Sequence, residues 1–351
     1  MKVSSLGCFA VCVSYLLLGS RTIATLPEEG EYHLLKEIPL SAAPGGREYF
    51  DYITVDASMR RVYLSHGTEV KVVDADSDAV VGTVSGLKQD HGIAVVNELG
   101  KGFISDGGAD RVVIFDLKTL QVTGEVKTGG NPDYILYDPA SKYVFAFNGS
   151  SKDATVIDSA NGTVVKTLPM GGRPEQAVAD GKGMIYDNIS DTNEVAVLDC
   201  RTLTIKARWP VEPGGQPVSM AMDRQHRRLF IGARNPKLLV IMNADKGSVI
   251  RTFEIGDWVD TNAYDPGTGQ VFASTREGTI NIFHEDSPDK FSVVQTIKTE
   301  FGAKTMGLDT KTHNLFLDTS DFSPIPAPTV EQPHPRATTI LGTFRLLIYG
   351  R

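Results

Sequence analysis

A repeat of about 42 residues runs through almost the whole chain and constrains its fold more than any other sequence feature. One turn position recurs after the first predicted strand of each unit, at Asp56, Val96, Asp138, Asp180, Asp223, Asp265 and Asp309. A second position recurs with the same period where each third strand is predicted to end, at Asp74, Asp116, Asp158, Asp199, Asn243 and His284. A four-stranded repeat of about 40 to 45 residues is the size of one β-propeller blade. Seven turn positions therefore predict seven blades.

Residues 129–172 show the pattern of a single unit. Four short apolar or alternating runs, at 134–137, 143–147, 154–157 and 164–168, are separated by Asp-Pro, Asn-Gly and other turn-forming residues. Runs of this length with such punctuation are typical of β-strands joined by hairpin turns. We therefore predict an all-β fold, a seven-bladed β-propeller of four-stranded antiparallel blades.

The last unit supplies strands near 304–308, 314–317 and 338–349, one fewer than the other units. We expect residues 32–39 to supply the missing strand, so that the ring closes by pairing of the N-terminal strand with the last blade. The alternative, an open row of blades, would leave long unpaired strand edges. The predicted domain is a single propeller over residues 32–351.

The first 24 residues have the pattern of a secretory signal peptide. Lys2 gives a short positive region, residues 6–18 give an apolar region, and Thr22-Ile23-Ala24 is a suitable cleavage context. A transmembrane anchor is the alternative, but about 13 apolar residues are too few to span a bilayer comfortably. We therefore expect export to the periplasm or the extracellular space, with no transmembrane segment after cleavage. Cys200 would then be alone, which excludes an intramolecular disulfide.

A proline-rich segment at 321–337 interrupts the last unit, with prolines at 324, 326, 328, 333 and 335. Proline at this density excludes strand and helix interiors. Two interpretations remain open, a solvated semi-rigid surface loop and a lid or contact arm. In either case the loop follows a second strand, which places it at the mouth of the channel where the first strands begin.

Strand motifs recur within the units. The first unit reads RVYLSH (61–66) and VKVVD (70–74), the third reads YVFAFN (143–148) and ATVID (154–158), and the turns GGNP (129–132) and GGRP (171–174) precede two blades. This pattern resembles the YVTN-repeat, YncE-like β-propeller family. The fifth and sixth units depart from it, with Asn243 and His284 at the usual Asp position. The resemblance implies an extracytoplasmic propeller and leaves its activity open.

The position five residues before each turn marker is ionisable in six of the seven units. These positions are Asp51, His91, Asp133, Glu175, Val218, Asp260 and Lys304. The first strand of each propeller blade lines the channel, so the side chains are predicted to cluster at one mouth. If Asp56 faces Arg61 in the hairpin, the register also places Asp51 opposite His66, His91 opposite Asp106, and Asp133 opposite Asn148.

Carboxylates and imidazole that converge in this way suit a divalent cation, either Ca²⁺ or an ion of the Mg²⁺ or Zn²⁺ type. The predicted metal ligands are Asp51, His91, Asp133, Glu175 and Asp260. The predicted ligand-binding residues are Asp51, His66, Asp106 and Asn148. If the site is catalytic, Glu175 and His91 are the acid–base candidates and Lys304 is the candidate for an anionic substrate group. The simpler alternative is that a water-filled channel needs a polar lining.

Two function classes follow. The first is an exported binding or scaffold module that holds a small molecule, a metal or a protein partner at the channel mouth. The alternative is a metal-dependent hydrolase or lyase, since the architecture is similar to that of the gluconolactonase/regucalcin propellers, in which channel acids hold a metal. The formal charge of −8 argues against nucleic-acid binding, which needs a basic face. We expect a monomer.

Overall fold

A computed structural model describes Met1 and residues 30–45, 48–329 and 335–351. Apart from Met1, the predicted signal peptide lies outside the described residues. The described chain forms seven four-stranded antiparallel sheets in a ring, which confirms the predicted fold class. The strands in chain order are β1 (His33–Pro39), β2 (Ile53–Asp56), β3 (Arg61–His66), β4 (Glu69–Asp74), β5 (Val80–Ser85), β6 (Asp90–Val96), β7 (Lys101–Asp106), β8 (Arg111–Asp116), β9 (Val122–Lys127), β10 (Pro132–Asp138), β11 (Tyr143–Asn148), β12 (Asp153–Asp158), β13 (Val164–Pro169), β14 (Pro174–Ala179), β15 (Met184–Ile189), β16 (Glu194–Asp199), β17 (Thr204–Pro210), β18 (Pro217–Asp223), β19 (Arg228–Arg234), β20 (Lys237–Asn243), β21 (Val249–Glu254), β22 (Val259–Asp265), β23 (Gln270–Thr275), β24 (Thr279–Ser287), β25 (Lys290–Lys298), β26 (Met306–Leu308), β27 (Leu315–Thr319) and β28 (Arg345–Gly350).

Blades one to six each use four consecutive strands, beginning with β2, β6, β10, β14, β18 and β22. Blade seven has the order β1-β28-β27-β26, because β1 pairs antiparallel with β28. The ring is therefore closed by the N-terminal strand, as the sequence predicts. The only helical elements in the described ranges are two single 3₁₀ turns, Asn97–Leu99 and Gly107–Ala109, and no helix there is long and apolar enough to cross a bilayer.

The repeated aspartates build the turns of the blades. The Asp56 carboxylate accepts the backbone N–H groups of Ser58 at 3.0 Å and Met59 at 3.1 Å. At the other marker, the Asp74 carboxylate accepts the N–H of Ser77 at 2.8 Å. Such Asx turns fix the chain reversal at each strand end. The period in the sequence therefore records a structural requirement of the fold.

The core lies between neighbouring blades. Phe147 and Leu168 of blade three, for example, pack with Ile185 and Leu198 of blade four in one buried cluster. Six similar clusters join the other blade pairs, including the junction between blades seven and one. The outermost strands are largely exposed, as in β13. Burial between sheets holds the ring together and leaves the channel lining free to be polar.

A β-bulge at the start of the innermost strand recurs in blades two to six. In blade two the register shifts between Asp90 and Ile93, so that Asp90, not His91, pairs with Asp106. A bulge places two residues of one strand opposite one residue of its partner and re-aims the side chains there. The predicted pairing of His91 with Asp106 is therefore wrong by one residue.

The other two predicted pairs are also absent from the structure. In blade three, Pro132 and not Asp133 pairs with Asn148. In blade one the pairing of Asp56 with Arg61 is confirmed, but the ladder stops at Ile53, and the Asp51 backbone N–H donates to the Ser65 hydroxyl at 2.7 Å. Asp51 therefore does not pair with His66.

Candidate functional site

A cavity of about 750 Å³ opens at the mouth of the channel where the innermost strands begin. Six of the seven ring positions line it: Asp51, His91, Asp133, Glu175, Asp260 and Lys304. The bulges turn these side chains toward the channel, because the register shift lies at or beside the ring position in each of blades two to six. The volume falls within the usual range for small-molecule pockets, about 300–1,000 Å³.

One half of the ring is a chain of ion pairs centred on Asp51. Its carboxylate receives the Lys304 ammonium at 2.9 Å and the His91 Nδ1 at 2.8 Å. His91 Nδ1 also lies 3.5 Å from Asp133, and the Tyr49 hydroxyl lies 2.9 Å from the same nitrogen. The four ring residues therefore alternate in charge around the mouth, in the order Lys304, Asp51, His91 and Asp133.

The other half continues this alternation with arginines. Arg173 lies 3.9 Å from Asp133 and 3.1 Å from Glu175, which also accepts a hydrogen bond from Ser190 at 3.0 Å. Across the ring, Arg234 pairs with Asp260, which also contacts Lys304. Arg234 comes from β19 in blade five, where the ring position is the apolar Val218. A second-strand arginine thus replaces the missing charge of that blade.

Burial and neighbouring charges shift the acid–base properties of the ring. Burial opposes protonation of His91, but the carboxylates of Asp133 and Asp51 outweigh it and raise its pKa to about 9. Burial and the nearby Asp133 charge raise the pKa of Glu175 to about 7. Asp51 is buried too, but Lys304 and His91 hold its pKa well below the usual range. At neutral pH His91 is therefore an imidazolium and Glu175 is close to half protonated.

The three predicted second-strand residues do not line the cavity. The fully buried His66 contacts Glu48 and stacks on Phe344 with ring centroids 3.9 Å apart. Asp106 receives Arg111 at 2.9 Å and two backbone N–H groups. Asn148 donates to Asp153 at 2.6 Å and to Thr155 at 2.9 Å. These residues support the loops beneath the mouth, since the bulge removes them from the register that the sequence suggested.

An aromatic and cationic rim lies on the side of blade six. Trp258 sits between two guanidinium groups, with Arg234 at 4.8 Å and Arg336 at 5.3 Å from its ring centroid. Arg276 lies 5.6 Å from the centroid of Phe301 and 5.9 Å from that of Phe322. Arg276 lines the cavity, yet among the described residues its side chain makes neither an ion pair with a carboxylate nor a hydrogen bond. Burial and the charge of Arg336 lower the pKa of Arg276.

The proline-rich segment contributes to the cavity wall. Its described residues Phe322 and Arg336 line the pocket, as do Thr339 and Leu341 just beyond it. Thr339 donates to the Glu48 carbonyl at 2.6 Å, and an isolated bridge joins Phe322 to Thr339. The described ends of the segment therefore lie at the mouth that its position in the sequence predicts.

The donor atoms of Asp51, His91 and Asp133 all lie within 4.8 Å of one another, which is close enough for a shared metal ion. The other two predicted ligands lie further round the ring, where Arg173 pairs with Glu175 and Arg234 pairs with Asp260. Lysine and arginine thus already neutralise much of this carboxylate charge. A divalent ion fits the three-residue group only when His91 Nδ1 gives up its proton.

Sequence reasoning missed the cationic half of the site. Arg173 follows the repeated Gly-Gly turn and precedes Glu175 by two residues, a spacing that signals an ion pair at the mouth. Arg234 ends a second strand in the one blade without an ionisable ring residue. Arg276 lies eleven residues after its turn marker Asp265, as Arg234 does after Asp223, so neither is among the ring positions five residues before each marker.

No protein-family model and no curated protein matches the sequence. Solved structures match the fold. A chain in the crystal structure of the mitotic checkpoint complex aligns with a TM-score of 0.73 and 12% identity, over 97% of this chain and 99% of that chain. A chain of Kuenenia stuttgartiensis hydrazine synthase aligns with a TM-score of 0.68 and 14% identity, over 80% of this chain and 94% of that chain.

Identities this low show the fold alone. The architecture defines the class of the protein as a seven-bladed β-propeller, and its structural neighbours are propellers as well. A fold of this kind serves enzymes and binding modules alike, so function must be argued from the mouth cavity.

Proposed function

We propose that the protein is a binding module that holds a small anionic ligand in the mouth cavity. The observation that carries this proposal is Arg276, a cavity-lining guanidinium without a described carboxylate partner or acceptor. A partly buried guanidinium that makes no hydrogen bond with the described residues keeps its donors available, and a bound anion would accept from them.

The charge of the lining points the same way. Glu48, Asp51, Asp133, Glu175 and Asp260 face five lysine or arginine side chains and His91 across the cavity. Because His91 is protonated and Glu175 is partly protonated at neutral pH, the cavity carries an excess of positive charge. This excess lies in a chain whose formal net charge is −8.

The rim adds a preference for a flat or apolar portion of the ligand. Trp258 is 41% exposed, which leaves part of its ring open to a ligand. Guanidinium groups beside an aromatic face suit a carboxylate or phosphate attached to an unsaturated body. An anionic group is common to both kinds of ligand, and the titrations below distinguish carboxylates from phosphates.

Calorimetric titration tests the proposal with phosphate, sulfate, simple dicarboxylates and aromatic carboxylates. We expect at least one of these classes to bind, and Arg276→Gln to weaken that binding roughly tenfold or more, as loss of a charged hydrogen bond does. Arg251→Gln is the matched control, because Arg251 also stacks on an aromatic ring, Phe253, at 5.3 Å but belongs to an outer strand. Equal affinity in the two variants, or no binding by any class, would contradict the proposal.

A divalent ion at Asp51, His91 and Asp133 is the second candidate, because their donor atoms converge. It would support the metal-dependent hydrolase or lyase alternative, with the ion polarising a lactone or ester carbonyl. In that case Glu175 would act as acid–base group and Lys304 would contact the anionic oxygen. Thermal unfolding with EDTA and with added Ca²⁺, Mg²⁺ or Zn²⁺ tests this candidate. An Asp133→Asn variant that responds to metals as the parent does would exclude it.

We also propose that the chain is an exported, monomeric member of the YVTN-repeat, YncE-like family. The strand and turn motifs support the family, and the N-terminal pattern of residues 1–24 supports export. Fractionation of cells that express the full chain or a chain without residues 2–24 tests export. Retention of both forms in the cytoplasm would overturn it, and light scattering of the purified protein checks the monomer.

A further inference from the structure

A second convergent group lies at the opposite end of the blades from the mouth cavity. Asp223 ends β18 of blade five, His226 follows in the turn, and Glu285 lies on β24 of blade six. His226 Nδ1 is 2.6 Å from Asp223 and 3.3 Å from Glu285, and the three donor atoms lie within 4.8 Å of one another. The group therefore bridges two neighbouring blades.

The turn aspartates elsewhere show what this junction lacks. In three other junctions the aspartate binds a cationic side chain four residues after the turn marker of the next blade. These pairs are Asp180–Arg227 at 2.9 Å, Asp265–His313 at 2.6 Å and Asp309–Arg60 at 2.7 Å. The equivalent residue for Asp223 is Gly269, which has the same left-handed backbone conformation and no side chain. Asp223 thus faces a second carboxylate, Glu285, where the other junctions hold a cation.

Glu285 gives an independent indication of a bound ligand. Its side chain is 2% exposed, and neither carboxylate oxygen makes a hydrogen bond of good geometry with a described residue, although the Tyr264 hydroxyl lies beside it. The nearby guanidinium of Arg228 pairs with Asp289 instead. Asp56 and Asp138 also lack a cation from the next blade, but neither belongs to a described group of three potential metal ligands. Two buried carboxylates that face each other are expensive unless a cation compensates their charge.

We propose that Asp223, His226 and Glu285 bind a divalent transition-metal ion, Zn²⁺ or Mn²⁺, that joins blades five and six. Two carboxylate oxygens and one imidazole nitrogen suit these ions better than Ca²⁺, which prefers oxygen alone. Metal–ligand bonds of about 2.1 Å require the donors to separate to about 3.4 Å, so the 2.6 Å contact must open slightly. His226 can move in this way, because its side chain is 36% exposed and lies in a turn. The same exposure gives the ion access from solvent.

Calorimetric titration of the purified protein with Zn²⁺ and with Mn²⁺ tests the site. The titrations are made in an Asp133→Asn background, so that binding at the mouth does not contribute. We expect one equivalent of metal, and its affinity should fall roughly tenfold or more in Glu285→Gln and in His226→Gln. The His226 change lies in a partly exposed turn and keeps the experiment informative if the buried Glu285 variant fails to fold.

His313→Gln is the matched control, because His313 Nδ1 also lies 2.6 Å from a turn aspartate, Asp265, but the two belong to no described group of three potential metal ligands. It should leave metal affinity and stoichiometry unchanged. Absence of metal binding in the background protein, undiminished binding by His226→Gln, or an equal loss in His313→Gln would each overturn the proposal.

Discussion

Lys304 joins a buried carboxylate, Asp51, and a partly buried one, Asp260, which would otherwise repel each other across the mouth. Its ammonium lies 2.9 Å from Asp51 and also contacts Asp260. Removal of one partner from a buried ionic group leaves the remaining charge uncompensated, which costs more than the pair contributes when intact. The residue is therefore as important to stability as to ligand binding.

We expect Lys304→Met to lower the free energy of unfolding by about 2 kcal/mol, measured by urea denaturation at neutral pH. Lys152→Met is the control, because Lys152 pairs with Asp191 on the surface and exposed pairs contribute about 0–1 kcal/mol. Equal destabilisation by both changes would show that the mouth pairs are no stronger than surface ones.

The raised pKa of Glu175, about 7, gives the mouth a pH dependence of known sign. The folded chain holds this proton more tightly than the unfolded chain, so the contribution is fully present below about pH 4.5 and is lost as pH rises through about 7. Between pH 5 and about 8 the loss of this contribution should lower the free energy of unfolding by on the order of 2 kcal/mol. We expect Glu175→Gln to abolish that part of the pH dependence. Denaturation midpoints across that range measure it. A pH profile that keeps its shape in the variant would contradict the assignment.

At the scale of the strands, the bulge determines which side chains reach the cavity. In blade two the Ser105 hydroxyl accepts the Gly92 N–H at 2.8 Å and donates to the Asp133 carbonyl of blade three. Ser65 supports Asp51 in the same manner, and Ser274 donates to the Lys304 carbonyl at 2.6 Å. These second-strand serines therefore hold ring residues in place, either in their own blade or in the next one.

We expect Ser105→Ala to destabilise the fold by about 1–2 kcal/mol, because a buried donor and acceptor lose their partner. It should also weaken anion binding, since His91 and Asp133 flank the bulge. Ser159→Ala is the control, because the buried Ser159 donates to the Lys142 carbonyl at 2.8 Å in a turn at the other end of its blade. Both variants should lose stability, whereas only Ser105→Ala should change ligand affinity. An unchanged ligand affinity in Ser105→Ala would show that the bulge does not position the residues of the cavity.

The bulge also explains where prediction from the sequence succeeds and fails. The period of the turn aspartates predicts the blades, because each Asx turn is a local requirement that repeats. The ring positions are predicted for the same reason, since they keep a constant distance from those turns. The pairing of His91 with Asp106 fails because one extra residue enters the ladder without changing the period. Arg234 and Arg276 are missed because they share a different repeat position, eleven residues after the turn marker, which is glycine in the first three blades.

At the scale of the whole molecule, the ring depends on β1. Tyr32 beside this strand is buried, donates its hydroxyl to the His313 carbonyl at 2.8 Å and packs edge-on against Phe272. Without β1, the edge of β28 would lose its partner, and an unpaired edge promotes aggregation.

We expect Tyr32→Ala to cost about 3–5 kcal/mol of stability, the usual range for truncation of a buried aromatic residue. Leu34→Ala on the same terminal segment is the control, because Leu34 is 44% exposed and should cost less than about 1 kcal/mol. Urea denaturation and size-exclusion chromatography measure both variants. Similar stabilities would contradict the role of the N-terminal strand in closing the ring.

The central claim is that the mouth cavity binds an anion through Arg276, and anomalous diffraction from crystals soaked in iodide tests it most directly. We expect an anomalous peak inside the cavity within contact distance of the Arg276 guanidinium, and we expect the peak to disappear in Arg276→Gln crystals soaked in the same way. Iodide at surface sites with none beside Arg276 would contradict the claim.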